Sequence, residues 1–210
     1  KLQSDEKSIL YHAAQSMPHS TSGYSIRTHG LVTAIRKSGW DAEVHLRHGY
    51  PLDRSDFRGD EVMAREEIDG TPYRFHPTSE NQSTGIINYT EVFNFSQLEE
   101  YQSAAVRTLM KQASETKPQV LHSASNFVVG LAGAEAASRL GIPSIYEIRG
   151  FWHLTQATKR TGYEASDHYN LSEHLEFEAA RNSDHVFTIT NALRDILLDN
   201  GIEPEKVSVL

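Results

Sequence analysis

Ser8-Ile9-Leu10-Tyr11-His12-Ala13-Ala14 opens the stretch on which the fold turns, and it closes at Trp40-Asp41-Ala42-Glu43-Val44-His45-Leu46. The first segment is a short apolar run, the length of a buried strand. Gln15–Tyr24 is polar and turn-prone. From Ser25 to Ser38 the residues Leu31, Ala34, Ile35 and Ser38 recur at helical spacing, and Gly39 is a natural stop. Trp40–Leu46 alternates as a strand does. A strand, a loop, a helix and a second strand within 39 residues predict a parallel pair joined by a right-handed crossover.

The same rhythm returns further along. Leu98, Tyr101, Ala105, Leu109 and Ala113 form one helical face, opened by a Ser96/Glu99 capping box. Gln119–Leu121 reads as a short strand. Asn126–Leu140 reads as a helix whose Gly130, Gly133, Ala134 and Ala137 let it lie close to a sheet. Gly141 ends it, and Pro143 leads into a strand at Ser144–Ile148. Leu171, Leu175 and Ala179 mark another helix, His185–Ile189 a strand, Ala192–Asn200 a helix, and Val207–Leu210 the start of a strand. Residues 48–94 are less regular. Asp69-Gly70, between Glu66-Glu67-Ile68 and Thr71–Phe75, is a hairpin signal. Ser79–Tyr89 is polar and weakly patterned, and Arg149 to about Ser166 reads as a long loop without structure. The expected fold is therefore α/β and Rossmann-like, a mostly parallel sheet flanked by helices.

Composition narrows the function. The 210 residues carry 28 acidic and 20 basic side chains, a formal charge of −8, against the basic surplus of a nucleic-acid-binding domain. There is no cysteine, so thiol catalysis and zinc–thiolate sites are excluded. No apolar run approaches the ~18 residues of a membrane span. The chain begins at Lys1 without Met and stops inside a strand-like segment, so we expect it to be part of a longer protein.

In an open parallel sheet ligands bind beyond the carboxyl ends of the strands. That rule selects Gln15–Arg27, His48–Pro51, His122–Asn126, Arg149–His153 and Thr188–Asn191. The Pro18–Arg27 turn, with Gly23, Tyr24 and Arg27, offers backbone N–H groups at a helix start. It suits a phosphate or is an ordinary β-α turn, and it lacks the three glycines of a dinucleotide fingerprint. His122 at a strand end either meets a substrate or bonds its neighbours. Arg149 and Trp152, followed by Lys159, Arg160 and Tyr163, suit a sugar or an anion. Alternatively, Trp152 covers the core edge and Arg149 pairs with Glu147 or Glu176. The 11 histidines raise a metal-dependent hydrolase, but no HExxH occurs; nor is there a G-x-S-x-G nucleophile elbow.

Together these segments carry a resemblance. Tyr11–Arg27 with Leu31–Gly39 looks like the first β-loop-α of family-4 glycosyltransferases. Gly49-Tyr50-Pro51-x-Asp53 looks like the turn after their second strand. Val120–Ser125, with Gly130, Leu131 and Leu140-Gly141-Ile142-Pro143, resembles the family's V-H-A-H-S … G-I-P block. Tyr146-Glu147-Ile148-Arg149-Gly150-Phe151-Trp152 is the most specific match, close to Y-E-x-R-G-x-W. Glu176, Ala180, Ser183-Asp184 and Phe187–Thr190 resemble a further segment. The resemblance spans the chain apart from roughly residues 52–95.

The resemblance implies that residues 1–210 are the single N-terminal, Rossmann-like half of a GT-B enzyme, with the C-terminal donor-binding domain absent. The implied function is the acceptor-binding half of a retaining glycosyltransferase, moving a sugar from a nucleotide-sugar to a glycan or lipid-linked acceptor. The alternative is a non-catalytic module that binds a sugar or phosphorylated ligand. No cofactor and no metal are implied, nor any nucleic acid. A cytoplasmic location and peripheral association with a membrane fit such an acceptor. The implied substrate-binding residues are Gly23, Tyr24, Arg27, His122, Arg149 and Trp152, with His122 the candidate catalytic group. Ala124 stands where many members have a second histidine. Glu91 and Glu99 match the spacing of the family's E-x7-E motif but fall in the wrong half.

Overall fold

The computed structural model describes residue 2 and residues 5–54, 56–59, 61–76 and 95–210. The strands are β1 (Ser8–Ala13), β2 (Asp41–Leu46), β3 (Arg65–Ile68), β4 (Thr71–Arg74), β5 (Val120–Ala124), β6 (Ser144–Ile148), β7 (His185–Thr188) and β8 (Val207–Val209). The helices are α1 (Gly23–Lys37), α2 (Phe95–Thr116), α3 (Phe127–Leu140), α4 (Trp152–Ala157), α5 (Asp167–Asn182) and α6 (Asn191–Asp199). The strands form one sheet in the order β3-β4-β2-β1-β5-β6-β7-β8. Every pairing is parallel except the β3–β4 hairpin. This is the Rossmann-like α/β sheet expected from the periodicities.

Strand order reverses between β1 and β5. The chain leaves β1 toward β2 on one side and later returns to add β5, β6, β7 and β8 on the other. The sheet divides two apolar cores. Tyr11, Ala13, Val44, Leu46 and Ala124 pack with Val32 of α1 on one face. Leu10, Leu121, Tyr146 and Ile148 pack on the other face with α2, α3, α5 and Leu197 of α6.

Small residues set the approach of α3. A Cβ on Gly133 would fall 1.9 Å from Ser123 Oγ, and one on Gly130 2.7 Å from the Tyr146 ring. Asn126 caps α3 by accepting from the Val128 N–H, and Gly141, at φ +67°, ends it in the left-handed conformation. The hairpin turn uses Asp69 (φ +48°) and Gly70 (φ +76°), both left-handed, as a two-residue turn of this kind requires.

One expectation fails. The Arg149–Ser166 stretch is not a structureless loop. It holds α4 and a 3₁₀ turn at Tyr163–Ala165, and Phe151, His153 and Tyr163 are buried. The helix face of α2 is buried as read, but the side chain of Ser96, half of the proposed capping box, lies outside the described residues. So do Ser79–Tyr89 and Glu91. Among the described residues no helix is long and apolar enough to cross a membrane.

Candidate functional site

A cleft of about 320 Å³ opens at the carboxyl ends of β1, β5 and β6, where the strand order reverses. Ala13, Ala14 and Gln15 leave β1, and Ala124, Ser125 and Asn126 leave β5. Arg149 and Gly150 leave β6. Tyr24 and Thr28, one turn apart on α1, form one wall; Trp152, Thr155 and Gln156 of α4, with Lys159 beyond it, form the other. Position on the sheet thus draws together residues more than a hundred apart in sequence.

Under the cleft lies a charged network centred on Glu147, which is 0% exposed. Arg149 Nε donates to Glu147 Oε1 at 3.0 Å and Arg149 Nη2 to Oε2 at 3.2 Å. Arg27 Nε donates to Oε1 at 2.8 Å, and the Tyr11 hydroxyl to Oε2 at 2.5 Å. His122 Nε2 lies 3.3 Å from Oε2, at ion-pair distance without hydrogen-bond alignment. Burial alone would raise the Glu147 pKa, but His122 and the Arg149 guanidinium hold this carboxyl well below the ordinary carboxylate range. Burial and the Glu147 charge push the Tyr11 hydroxyl well above its usual value, so it stays a donor.

Arg149 is fully engaged. Its Nη1 donates to Tyr24 O (2.8 Å) and Thr28 Oγ1 (2.9 Å), and its Nη2 also donates to the Tyr11 oxygen at 2.6 Å. All five N–H donors of a guanidinium therefore meet protein acceptors. The arginine fastens α1 to the end of β6 and so fixes the width of the cleft. Ser125 adds a second tie, accepting from the Arg149 N–H at 2.8 Å.

The other sequence candidates fall in three places. Tyr24 (41% exposed) and the half-buried Trp152 line the cleft. Arg27 and His122 (5% exposed) join the Glu147 network but are not among the lining residues. Gly23 is exposed at the first turn of α1, with nothing within 4 Å of where a Cβ would stand. Of the five selected segments, Gln15–Arg27, His122–Asn126 and Arg149–His153 contribute to the cleft; His48–Pro51 and Thr188–Asn191 do not. Tyr50 instead donates to Ser16 O, and Tyr101 of α2 to His48 O. Sequence reasoning missed Thr28, Gln156 and the joining role of Tyr11. Only Thr28 had a signal, its spacing of four from Tyr24 on a helix.

The histidines do not converge on a metal site: among the described residues no group of three or more His, Asp or Glu is placed to hold an ion. On the other face, Glu176 of α5 accepts from the Phe127 N–H at the start of α3 and from the Tyr146 hydroxyl. Burial raises its pKa to about 7.

A Rossmann-like sheet with its cleft at the reversal of strand order defines a class of ligand-binding α/β domains. Within that class the chain belongs to the family of glycosyl transferase 4-like domains, whose model matches residues 22–210. No curated protein matches the chain. Several solved structures share its fold. One is the UDP-GlcNAc 2-epimerase of Methanocaldococcus jannaschii in complex with UDP-GlcNAc and UDP (17% identity, TM-score 0.57, covering 96% of this chain and 45% of that one). A second is Staphylococcus aureus MnaA with UDP (17%, 0.55, covering 97% and 43%). A third is the Neisseria meningitidis UDP-GlcNAc 2-epimerase bound to UDP-GlcNAc (14%, 0.54, covering 96% and 45%). At such identities the likeness is one of fold. The chain spans less than half the length of these structures.

Proposed function

We propose that this chain is the acceptor-binding, N-terminal half of a retaining glycosyltransferase, with the donor-binding half lying outside these 210 residues. The observation that supports the reading is the position of the cleft in a domain of this family. It opens at the strand-order reversal with two aromatic rings, Tyr24 and Trp152, on facing walls. Aromatic faces stack on the apolar faces of sugar rings, and Gln15, Asn126 and Gln156 supply hydrogen-bonding groups around them. The acceptor is a glycan or a lipid-linked sugar, which a protein resting at a membrane from the cytoplasmic side would reach.

Transfer breaks the bond between the sugar and the nucleotide's diphosphate, so negative charge grows on the leaving phosphate. Helix N-termini and cationic side chains stabilise that charge. Exposed Gly23 at the start of α1 leaves room for a phosphate to approach the backbone from across the cleft. His122 and Arg149, turned toward Glu147, act as positioning residues that hold β5, β6 and α1 in register.

The test is direct. The 210-residue chain is incubated with nucleotide-sugars and candidate acceptors, and products are read by mass spectrometry. Acceptor binding is followed by NMR line broadening. The expected result is acceptor binding, weakened at least about tenfold by Trp152→Ala, without release of glycoside. Glycoside formation by this chain alone would overturn the two-half reading. Inverted configuration at the transferred anomeric carbon, in the product of the whole enzyme, would overturn retention.

A further inference from the structure

We propose that the sugar taken by this cleft carries an anionic group, a phosphoryl or a carboxylate. The inference rests on the reading of the cleft as an acceptor site and adds the charge of the acceptor. Acidic side chains outnumber basic ones in the chain, 28 to 20, yet the residues that line the cleft include Arg149 and Lys159 and no Asp or Glu. The charge beneath the cleft does not cancel either. One carboxylate, Glu147, faces two guanidiniums, Arg149 and Arg27, which leaves one positive charge over. Lys159 adds another at the mouth, and it has no ion pair among the described residues.

Asn126 supplies an independent pointer. It is 8% exposed and lines the cleft. Its Oδ1 is committed to the Val128 N–H at 3.3 Å, whereas its Nδ2 has no partner among the described residues. That donor is open to the cleft rather than sealed inside the protein, so an oxygen of a bound ligand can take it in place of water. A donor on the cleft floor and an ammonium at its rim, with an aromatic ring on each wall, fit a sugar ring bearing an anionic substituent.

The experiment is calorimetric titration of the 210-residue chain with glucose 6-phosphate, glucuronate, glucose and UDP, at low and at high salt. One charged sugar or both should bind at least about tenfold more tightly than glucose, the worth of one charge-assisted hydrogen bond. Which of the two prevails assigns the group as phosphoryl or carboxylate. The preference should shrink with added salt. Lys159→Glu should abolish it. Asn126→Asp, which keeps an oxygen to cap α3 but replaces the free donor with negative charge, should abolish it as well. Lys37→Glu, the same change of charge at the far end of α1, should leave it intact. Equal binding of glucose and the charged sugars would overturn the proposal while leaving the acceptor reading in place. Binding of no sugar at all would remove both. Binding of UDP alone, lost in Lys159→Glu, would assign the charge to a donor diphosphate and overturn the proposal. Equal losses in Lys159→Glu and Lys37→Glu would reduce it to a general effect of net charge.

Discussion

Glu147 carries more of this site than any residue that faces the cleft. Buried between two arginines, a tyrosine and a histidine, it makes their positions mutually dependent. Glu147→Gln should therefore cost about 3–5 kcal/mol in urea unfolding, because it leaves guanidinium charge buried without a counter-charge. Adding Arg149→Met should return part of that loss, since removing both members of a buried pair costs less than removing one. A loss below about 1 kcal/mol for the single change would count against the network as a structural hub. Two glycines separate packing from exposure in the same way. Gly133→Ala must push against Ser123 and Leu121 and should cost about 1–3 kcal/mol, whereas Gly23→Ala meets open space and should shift stability by no more than about 0.5 kcal/mol. The sequence made Arg149 visible as a strand-end cation. It could not count that residue's donors, because Tyr11, Tyr24 and Thr28 lie more than a hundred residues away and only the fold brings them to it.

Elements with strong local signals were legible before the structure. The α1 helix, the small-residue face of α3, the Ser144–Ile148 strand and the Asp69-Gly70 hairpin each follow from a period, a stop or a turn residue and each is present, although α1 buries Ser25, Thr28 and Val32 while Ala34 and Ser38 of its expected stripe are exposed. Two elements were not. β5 runs through Val120–Ala124 rather than Gln119–Leu121, because His122 and Ser123 are polar residues buried by their neighbours rather than by their own hydrophobicity. α4 has six residues and no side-chain cap, so nothing local announces it. Contacts from α5 hold it: Phe151 meets Phe177 edge-on with ring centres 5.9 Å apart, and His153 meets Tyr169 at 5.0 Å. Phe151, which precedes the helix, and Trp152, its first residue, should then respond oppositely. Phe151→Ala, which empties a core position, should cost about 3–5 kcal/mol by urea unfolding. Trp152→Ala should leave stability within about 1 kcal/mol and weaken sugar binding at least about tenfold by calorimetry, as loss of a stacked ring does. A fall in stability for Trp152→Ala as large as for Phe151→Ala, with unchanged binding by the folded protein, would make Trp152 a core residue instead.

The whole molecule should be unusually sensitive to acid. Burial, reinforced by the neighbouring His45, lowers the pKa of His12 to about 3 and that of His76 to about 3; burial lowers that of His153 to about 4. The ordinary histidine value is about 6.5. Burial also lowers His45 and His19, so below that pH the unfolded chain takes up at least three protons that the folded chain refuses, and this contribution to stability, complete above pH 6.5, is lost as the pH falls. Glu176 opposes them. Its folded pKa of about 7 lies above the ordinary carboxyl value, so between pH 7 and about 4.5 the folded chain holds one proton that the unfolded chain lacks. The difference is at least about two protons between pH 6.5 and 4.5, or at least roughly 5 kcal/mol across that window. That is comparable with the entire stability of many domains, about 5–15 kcal/mol. Unfolding free energy from urea titrations at successive pH values measures the proton count as a slope. His12→Gln should reduce that slope by about one proton. Glu176→Gln should raise it by about one proton, because it removes the compensating carboxyl and leaves the histidines untouched. A wild-type slope near zero would mean that the buried histidines admit protons in the folded state. Steepening in Glu176→Gln together with flattening in His12→Gln would identify both sides of the balance, since a variant that merely weakened the fold would lower the whole curve without changing its slope.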